Sequence, residues 1–364
     1  MLKLYIAFCL NFAFIKGLNT SRNSSGNITN RETASEKHDF SQVFPGFFYY
    51  LNFHTKKFAI LNNVSMMQML FSLVKDVPKR LYWLRSNDPV PEDLRGWSYH
   101  TYPVRPRAYF GLGVSEVAYK YCETFRDLWM RRKEYVRGEV LESSPLYMGK
   151  LIHSLMNYAF RDASEIVSRN LGHLESIRRA QELSRKRASE LTKSYYRKAM
   201  EFYMTMVLSA ISTLWIQQSL TNDPLSYISI KTEFVIDGTP VGLSNALRVD
   251  AYHEGGVIIE YKLGNPNPLL TERHSVGLAG YALAIESSLD IPIDYGAIVY
   301  ISELSRRPSI KVFPVYISSL YRKKFLENRD EAIEVLMRAT PPPRSGNCYQ
   351  YCPFFKACNG GERS

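Results

Sequence analysis

Asp250, Glu260 and Lys262 lie within one short stretch, "RVDAYHEGGVIIEYKLG", residues 248–264. Two β-like runs flank the turn at Gly255 and Gly256. Side chains alternate across a strand, so Arg248, Asp250 and Tyr252 share one face, and Ile258, Glu260 and Lys262 share another. A tight turn at "HEGG" lays the strands side by side and brings Asp250 within reach of Glu260. Two carboxylates at that separation repel unless a divalent cation neutralises them, and oxygen ligands suit Mg²⁺ or Mn²⁺. Such an ion polarises a phosphodiester and activates a bound water, while Lys262 orients the water or stabilises the developing charge. The ordinary alternative is a solvated hairpin face with a cross-strand salt bridge.

Upstream, "MGKLIHSL" sets Gly149 and His153 one helical turn apart on the same face. Glycine costs a helix about 1 kcal/mol relative to alanine, so its presence suggests that a backbone or a ligand passes there. His153 could complete an Asp/Glu metal site as a neutral imidazole, or be a hydrogen-bonded core histidine. The C-terminus offers a third group, "CYQYCPFFKAC", with Cys348, Cys352 and Cys358. It lacks the closely paired cysteines usual in zinc sites, and three thiolates need a fourth ligand. Cys122, in "YKYCETF", is the natural candidate, and four thiolates hold either an iron–sulfur cluster or a zinc ion.

These groups need elements to position them. After Pro224 the apolar pattern has period two, and "YISIKTEFVID", "LSNALRVDAY", "GVIIEYKLG", "YGAIVYI" and "SIKVFPVYI" read as strands. Helices are expected over 114–136, over 145–170, as a long stretch to about Gln218, over 268–287 and over 318–338. Prolines at 89, 91, 103 and 106 keep the segment before residue 113 irregular. Helices followed by a sheet point to an α/β core with a helical lobe. The expected divisions are an N-terminal extension over 1–65, a helical region over 66–145, a core with a helical insertion over 146–338 and a cysteine-bearing tail over 339–364.

The chain has 364 residues, 45% of them apolar, with a net charge of +11 and a pI near 9.3. That balance favours a polyanionic partner, because neutralising phosphates releases counterions. Basic runs at 178–187 and 321–324 could hold DNA, or be solvated helix faces. Five cysteines, three crowded at one end, suit ligation in a reducing, cytoplasmic setting better than a disulfide framework. "MLKLYIAFCLNFAFIKG" looks like a signal peptide but is interrupted by Asn11 and followed by a polar stretch. We expect residues 1–65 to come from an over-extended start, with Cys9 outside the folded region, and no other stretch to cross a membrane.

Taken in order, the Gly149/His153 helix, Asp250, the Glu260-x-Lys262 strand, a tyrosine-bearing helix and the cysteines resemble RecB-type nucleases of the PD-(D/E)xK superfamily that carry an iron–sulfur clasp. Among them the sequence is most similar to the CRISPR-associated adaptation nucleases, the "Cas-four" exonucleases and the archaeal "Csa-one" proteins. "EDLRGWSYHTYPVRP" and "LGVSEVAYKYCETFRDLWMRR" carry the likeness to the latter. The resemblance covers about residues 67–358. It implies a RecB-like, restriction-endonuclease-type fold, with Mg²⁺ or Mn²⁺ held by His153, Asp250, Glu260 and the Tyr261 main-chain carbonyl, and with Lys262 as the catalytic lysine. It also implies a [4Fe–4S] cluster on Cys122, Cys348, Cys352 and Cys358, and a supporting Tyr281. Gly277 stands where such proteins carry a glutamine. The implied activity is exonucleolytic trimming of DNA ends during spacer acquisition, with single-stranded ends and the integrase as partners. A non-catalytic scaffold subunit of the same complex is the alternative, and a zinc-stabilised nucleic-acid-binding module is a third.

Overall fold

Every run read as a strand after residue 230 becomes one. The computed structural model describes residues 70, 73–221, 230–349 and 351–360, so the expectations for residues 1–65 lie outside it. Strands β1 (Ile230–Ile236), β2 (Leu247–His253), β3 (Val257–Leu263), β4 (Tyr295–Ile301) and β5 (Ile310–Tyr316) form one sheet in sequential order. β3 and β4 are parallel and the other neighbours antiparallel. A parallel pair needs a long crossover, and here that is the helix Pro268–Leu289. The central strands are buried on both faces, which explains the apolar run "YGAIVYI" and the apolar neighbours of Glu260 in "VIIEY".

The helices are α1 (Val77–Asn87), α2 (Val114–Tyr119), α3 (Arg126–Arg132), α4 (Pro145–Ser168), α5 (His173–Leu191), α6 (Tyr196–Thr221), α7 (Pro268–Leu289), α8 (Ser319–Met337) and α9 (Phe355–Cys358). Local chemistry sets their starts. Ser144 accepts a hydrogen bond from the Tyr147 amide at 3.2 Å, with Pro145 in the first turn. Asn267 accepts from the Leu269 amide at 3.0 Å, with Pro268 in the same role.

Two expected helices are broken. The 114–136 helix divides into α2 and α3, because Lys120 and Phe125 take left-handed backbone conformations (φ 42° and 54°). The Lys120 ammonium is held there by both oxygens of Glu331, at 2.8 and 2.7 Å. The stretch to Gln218 breaks at Thr192, whose extended backbone ends α5. Its second half, Tyr196–Ile216, is long and apolar enough to cross a membrane, against the expectation from sequence. Half of it is buried, with Phe202, Tyr203, Met206, Val207 and Ala210 in the core.

A buried ionic knot joins the crossover helix to the rest. Glu286 of α7 is fully buried and accepts hydrogen bonds from Arg322 of α8 at 2.7 and 2.9 Å. It also accepts from Arg95 at 2.8 Å and from the Gly96 and Ile293 amides at 2.8 and 3.0 Å. Gly96 lies so close to α7 that a Cβ there would stand 2.0 Å from the Leu283 carbonyl, which excludes any other residue. Arg322, expected in a DNA-facing basic run, is therefore a core residue, and Lys324 of the same run is paired with Glu272.

Removing one partner of a buried ion pair leaves an uncompensated charge, at about 3–5 kcal/mol. Glu286→Ala, which leaves the Arg322 guanidinium without an acidic partner while Arg95 keeps Asp294 at 2.6 Å, is expected to cost about that by urea unfolding. Lys324→Ala, at an exposed pair, should change stability by about 1 kcal/mol or less.

Candidate active site

β3 carries a charge where its neighbours are apolar. Glu260 is 4% exposed, between Ile259 and Tyr261, both buried. Gly296 of β4 is paired with Ile258 and lies against Leu278 of α7. The Ile258, Glu260 and Lys262 side of β3 therefore faces α7, as strand parity predicts. Continued one step, the β2–β3 register sets Asp250 opposite Glu260.

The two carboxylates do not share one partner. Asp250 Oδ1 lies 3.0 Å from His153 Nδ1 of α4, and Asp250 Oδ2 accepts from the Tyr261 amide at 2.9 Å. Glu260 Oε1 accepts from the Lys262 ammonium at 2.6 Å and from the Tyr119 hydroxyl at 2.6 Å. Glu260 Oε2 is buried and has no hydrogen-bond partner. Each carboxylate thus has its own protein partners. Among the described residues, no three His, Cys, Asp or Glu side chains converge closely enough to hold a metal ion as they stand.

The electrostatics follow from these contacts. Burial works against ionisation of Asp250, but His153, Lys262 and the Tyr261 amide outweigh it and hold its pKa below the ordinary value. Burial likewise works against protonation of His153, and the adjoining Asp250 carboxylate raises its pKa in spite of that. Burial and Glu260 push the Tyr119 phenol well up, so it stays a donor. Tyr281 is shifted the same way, by burial and then by Glu260 and Asp250, which puts it in the field of both carboxylates. A Cβ at Gly149 would meet nothing within 4 Å, so the α4 backbone one turn before His153 borders open space.

Glu260 Oε2 tests whether the residues fit a divalent ion. A buried carboxylate oxygen with no donor is costly unless something else satisfies it. The orphaned oxygen and the donor types of His153, Asp250 and Glu260 suit Mg²⁺ or Mn²⁺ if the three side chains draw together.

The cysteines gather elsewhere. Cys122, Cys348, Cys352 and Cys358 line one cavity with Arg126, Asp127, Met130 and Phe354. All four are free thiols. Desolvation and the neighbouring Cys358 and Cys122 sulfurs raise the Cys348 pKa. Desolvation, Asp127 and then Cys122 and Cys348 raise that of Cys352. Arg126 Nε is buried without a partner, an N–H that a sulfur acceptor would satisfy. The donor set and this orphaned group fit a thiolate-bound cluster.

A family model described as "CRISPR-associated exonuclease Csa1" matches residues 66–362. The chain belongs to that family. A CRISPR-associated exonuclease Csa1 of Thermoproteus tenax is 32% identical over 280 residues, covering 74% of this chain and 91% of the relative. Its namesake in Saccharolobus solfataricus is 32% identical over 310 residues, covering 81% and 98%. A solved chain described as "Crystal structure of SSO0001" aligns at 18% identity over 47% of this chain and 81% of that one, with a TM-score of 0.23, too low to bear on the fold.

In this Csa1-family chain the structure brings His153, Asp250, Tyr261, Glu260 and Lys262 together from α4, β2 and β3. Sequence reasoning missed two neighbours. Tyr119 reaches Glu260 from α2, and nothing in "VAYKYCET" distinguishes it from Tyr121. His274 of α7 stands edge-on to the Tyr119 ring, with centroids 5.4 Å apart, and its Nδ1 is 2.9 Å from the Tyr300 hydroxyl. Burial, Lys262 and Arg273 push His274 down to about 3, so it is neutral. Its one signal was its place a single turn before Gly277 on the same helix.

The Asp250–His153 pair implies a pH window. A depressed Asp250 contributes stability above its ordinary value of 3.8 and loses it as pH falls through its folded pKa. A raised His153 contributes below its ordinary value of 6.5 and loses it as pH rises through its folded pKa. In EDTA, the melting-temperature difference between wild type and Asp250→Asn should be greatest between those two values and shrink on both sides. A difference that does not change with pH would remove the ion pair.

Proposed function

We propose that this chain is a metal-dependent deoxyribonuclease that trims DNA ends, chiefly single-stranded ones, for CRISPR spacer acquisition. The observation that carries the reading is a buried Glu260 with one unpartnered oxygen, beside His153, Asp250 and Lys262, in a chain of the Csa1 family. The names of its relatives support the exonuclease activity. Mg²⁺ or Mn²⁺ would be held by His153, Asp250, Glu260 and the Tyr261 main-chain carbonyl. Such an ion supplies a polarised phosphodiester and a water of lowered pKa.

The chain's own groups do the rest. Lys262 holds Glu260 and sets a fixed positive charge where negative charge builds on the phosphate. His153 restrains Asp250. The open space at Gly149 admits a strand next to His153. Arg178, Arg185 and Lys186 of α5 are exposed and suit phosphate contacts. Tyr121 and Tyr349, exposed at the cysteine end, suit base stacking. The four cysteines would hold a [4Fe–4S] cluster that ties the tail to α3. The integrase of the adaptation complex is the proposed protein partner, and a reducing cytoplasm the proposed setting.

A second reading has one observation in its favour. Both carboxylates already have partners within the protein, which suits a subunit that binds DNA without cutting it.

The deciding experiment is cleavage of end-labelled single-stranded DNA with Mn²⁺ by anaerobically purified protein. Glu260→Ala is expected to lower the rate by about 10²-fold or more, the scale for removing one electrostatic catalytic group. A wild type that binds DNA and Mn²⁺ without cleaving would turn the reading to the scaffold. The same preparation is expected to be brown, with iron and sulfide in equal amounts, and Cys348→Ser to be colourless. Bound zinc in a colourless wild type would rule out the cluster.

A further inference from the structure

Tyr119 is the last residue of α2, outside both the sheet and the hairpin, and its hydroxyl donates to Glu260 Oε1 at 2.6 Å. Its ring is 6% exposed. The Lys262 ammonium lies 5.0 Å from the ring centroid. One side chain thus touches both members of the Glu260–Lys262 pair. α7 leaves room for it: a Cβ at Gly277 would stand 3.4 Å from Tyr119 Cε1 and 3.6 Å from Glu260 Oε2. A methyl group would just fit, and a longer side chain would displace the ring or the carboxylate.

A carboxylate held by one flexible lysine can rotate. Here two donors meet on the same oxygen from different elements, and the second comes from a rigid aromatic. That fixes the plane of the carboxylate and leaves Oε2 as the oxygen without a partner. We propose that Tyr119 is the positioning residue for Glu260, locking the carboxylate so that Oε2 is presented to the divalent ion, and that Gly277 is small in order to admit it. The proposal rests on the metal-dependent reading above. The turn after α2 supports it. Left-handed Lys120, tied to Glu331 of α8, fixes where the tyrosine enters.

Tyr119→Phe removes only the hydroxyl and keeps the ring under Lys262. The test uses the full chain, with Mn²⁺ titrated against free-ion electron paramagnetic resonance and with single-turnover cleavage at saturating Mn²⁺. Tyr119→Phe is expected to weaken Mn²⁺ binding about tenfold, the scale for losing a partner that orients a metal ligand. The fold should persist with a modestly lower melting temperature, since a hydrogen bond to a buried carboxylate is lost, and the affinity for single-stranded DNA measured without metal should be unchanged. Gly277→Val, which crowds both the ring and the Glu260 carboxylate and leaves the tyrosine hydroxyl intact, should also weaken Mn²⁺ binding. If wild type binds Mn²⁺, Glu260→Ala does not, and Tyr119→Phe binds as tightly as wild type, Tyr119 is core packing and the proposal falls. If wild type fails to bind Mn²⁺ at all, the metal reading falls and takes this inference with it.

Discussion

The buried carboxylate of Glu286 is the constraint on which the rest of the architecture depends. It collects two guanidinium groups and two backbone amides, from α8, from the irregular segment at Arg95 and Gly96, and from the approach to β4. Those are the pieces that must be fixed for α7 to lie against β3 and β4. Such a knot is favourable only when every donor is matched, because a stranded guanidinium in the core costs several kcal/mol. It therefore specifies one arrangement of α7, α8 and the N-terminal segment. The direct approach of Gly96 to α7 tightens that arrangement further.

The other end of α7 carries Gly277, His274 and Tyr281 past the buried Glu260. A charge in the middle of an apolar strand cannot be surface decoration, because burying a carboxylate without partners is costly. Lys262 and Tyr119 hold it, while His153 and the Tyr261 amide hold Asp250. The site is thus a pair of matched ionic contacts on adjoining strands, with one oxygen left over. The cysteine cavity lies apart, between α3 and the tail, with its own unmatched donor in Arg126. In both places a polar atom buried without a partner indicates the kind of group the surroundings suit.

Much of this was legible in the chain. Period-two runs placed all five strands, and parity put Glu260 and Lys262 on one face, because alternation along a strand is a local property. The Pro145 and Pro268 helix starts were legible for the same reason. The break at Lys120–Phe125 was not. Left-handed conformations at a lysine and a phenylalanine are costly locally, and contacts from α8, distant in sequence, hold Lys120 there. Arg322 was misread for a related reason. A basic run looks solvated until an acid from another helix is set against it.

Sequence alone determined which residues could do chemistry: a histidine one turn from a glycine, a carboxylate hairpin with its lysine, and four cysteines in two distant groups. Each is a matter of residue type and short spacing. Only the tertiary structure decided how they are paired. It gave Asp250 to His153 and Glu260 to Lys262, and it brought in Tyr119, which no local pattern marks. Side-chain pairing across long separations depends on packing geometry, and that is settled only when the helices and the sheet are in place.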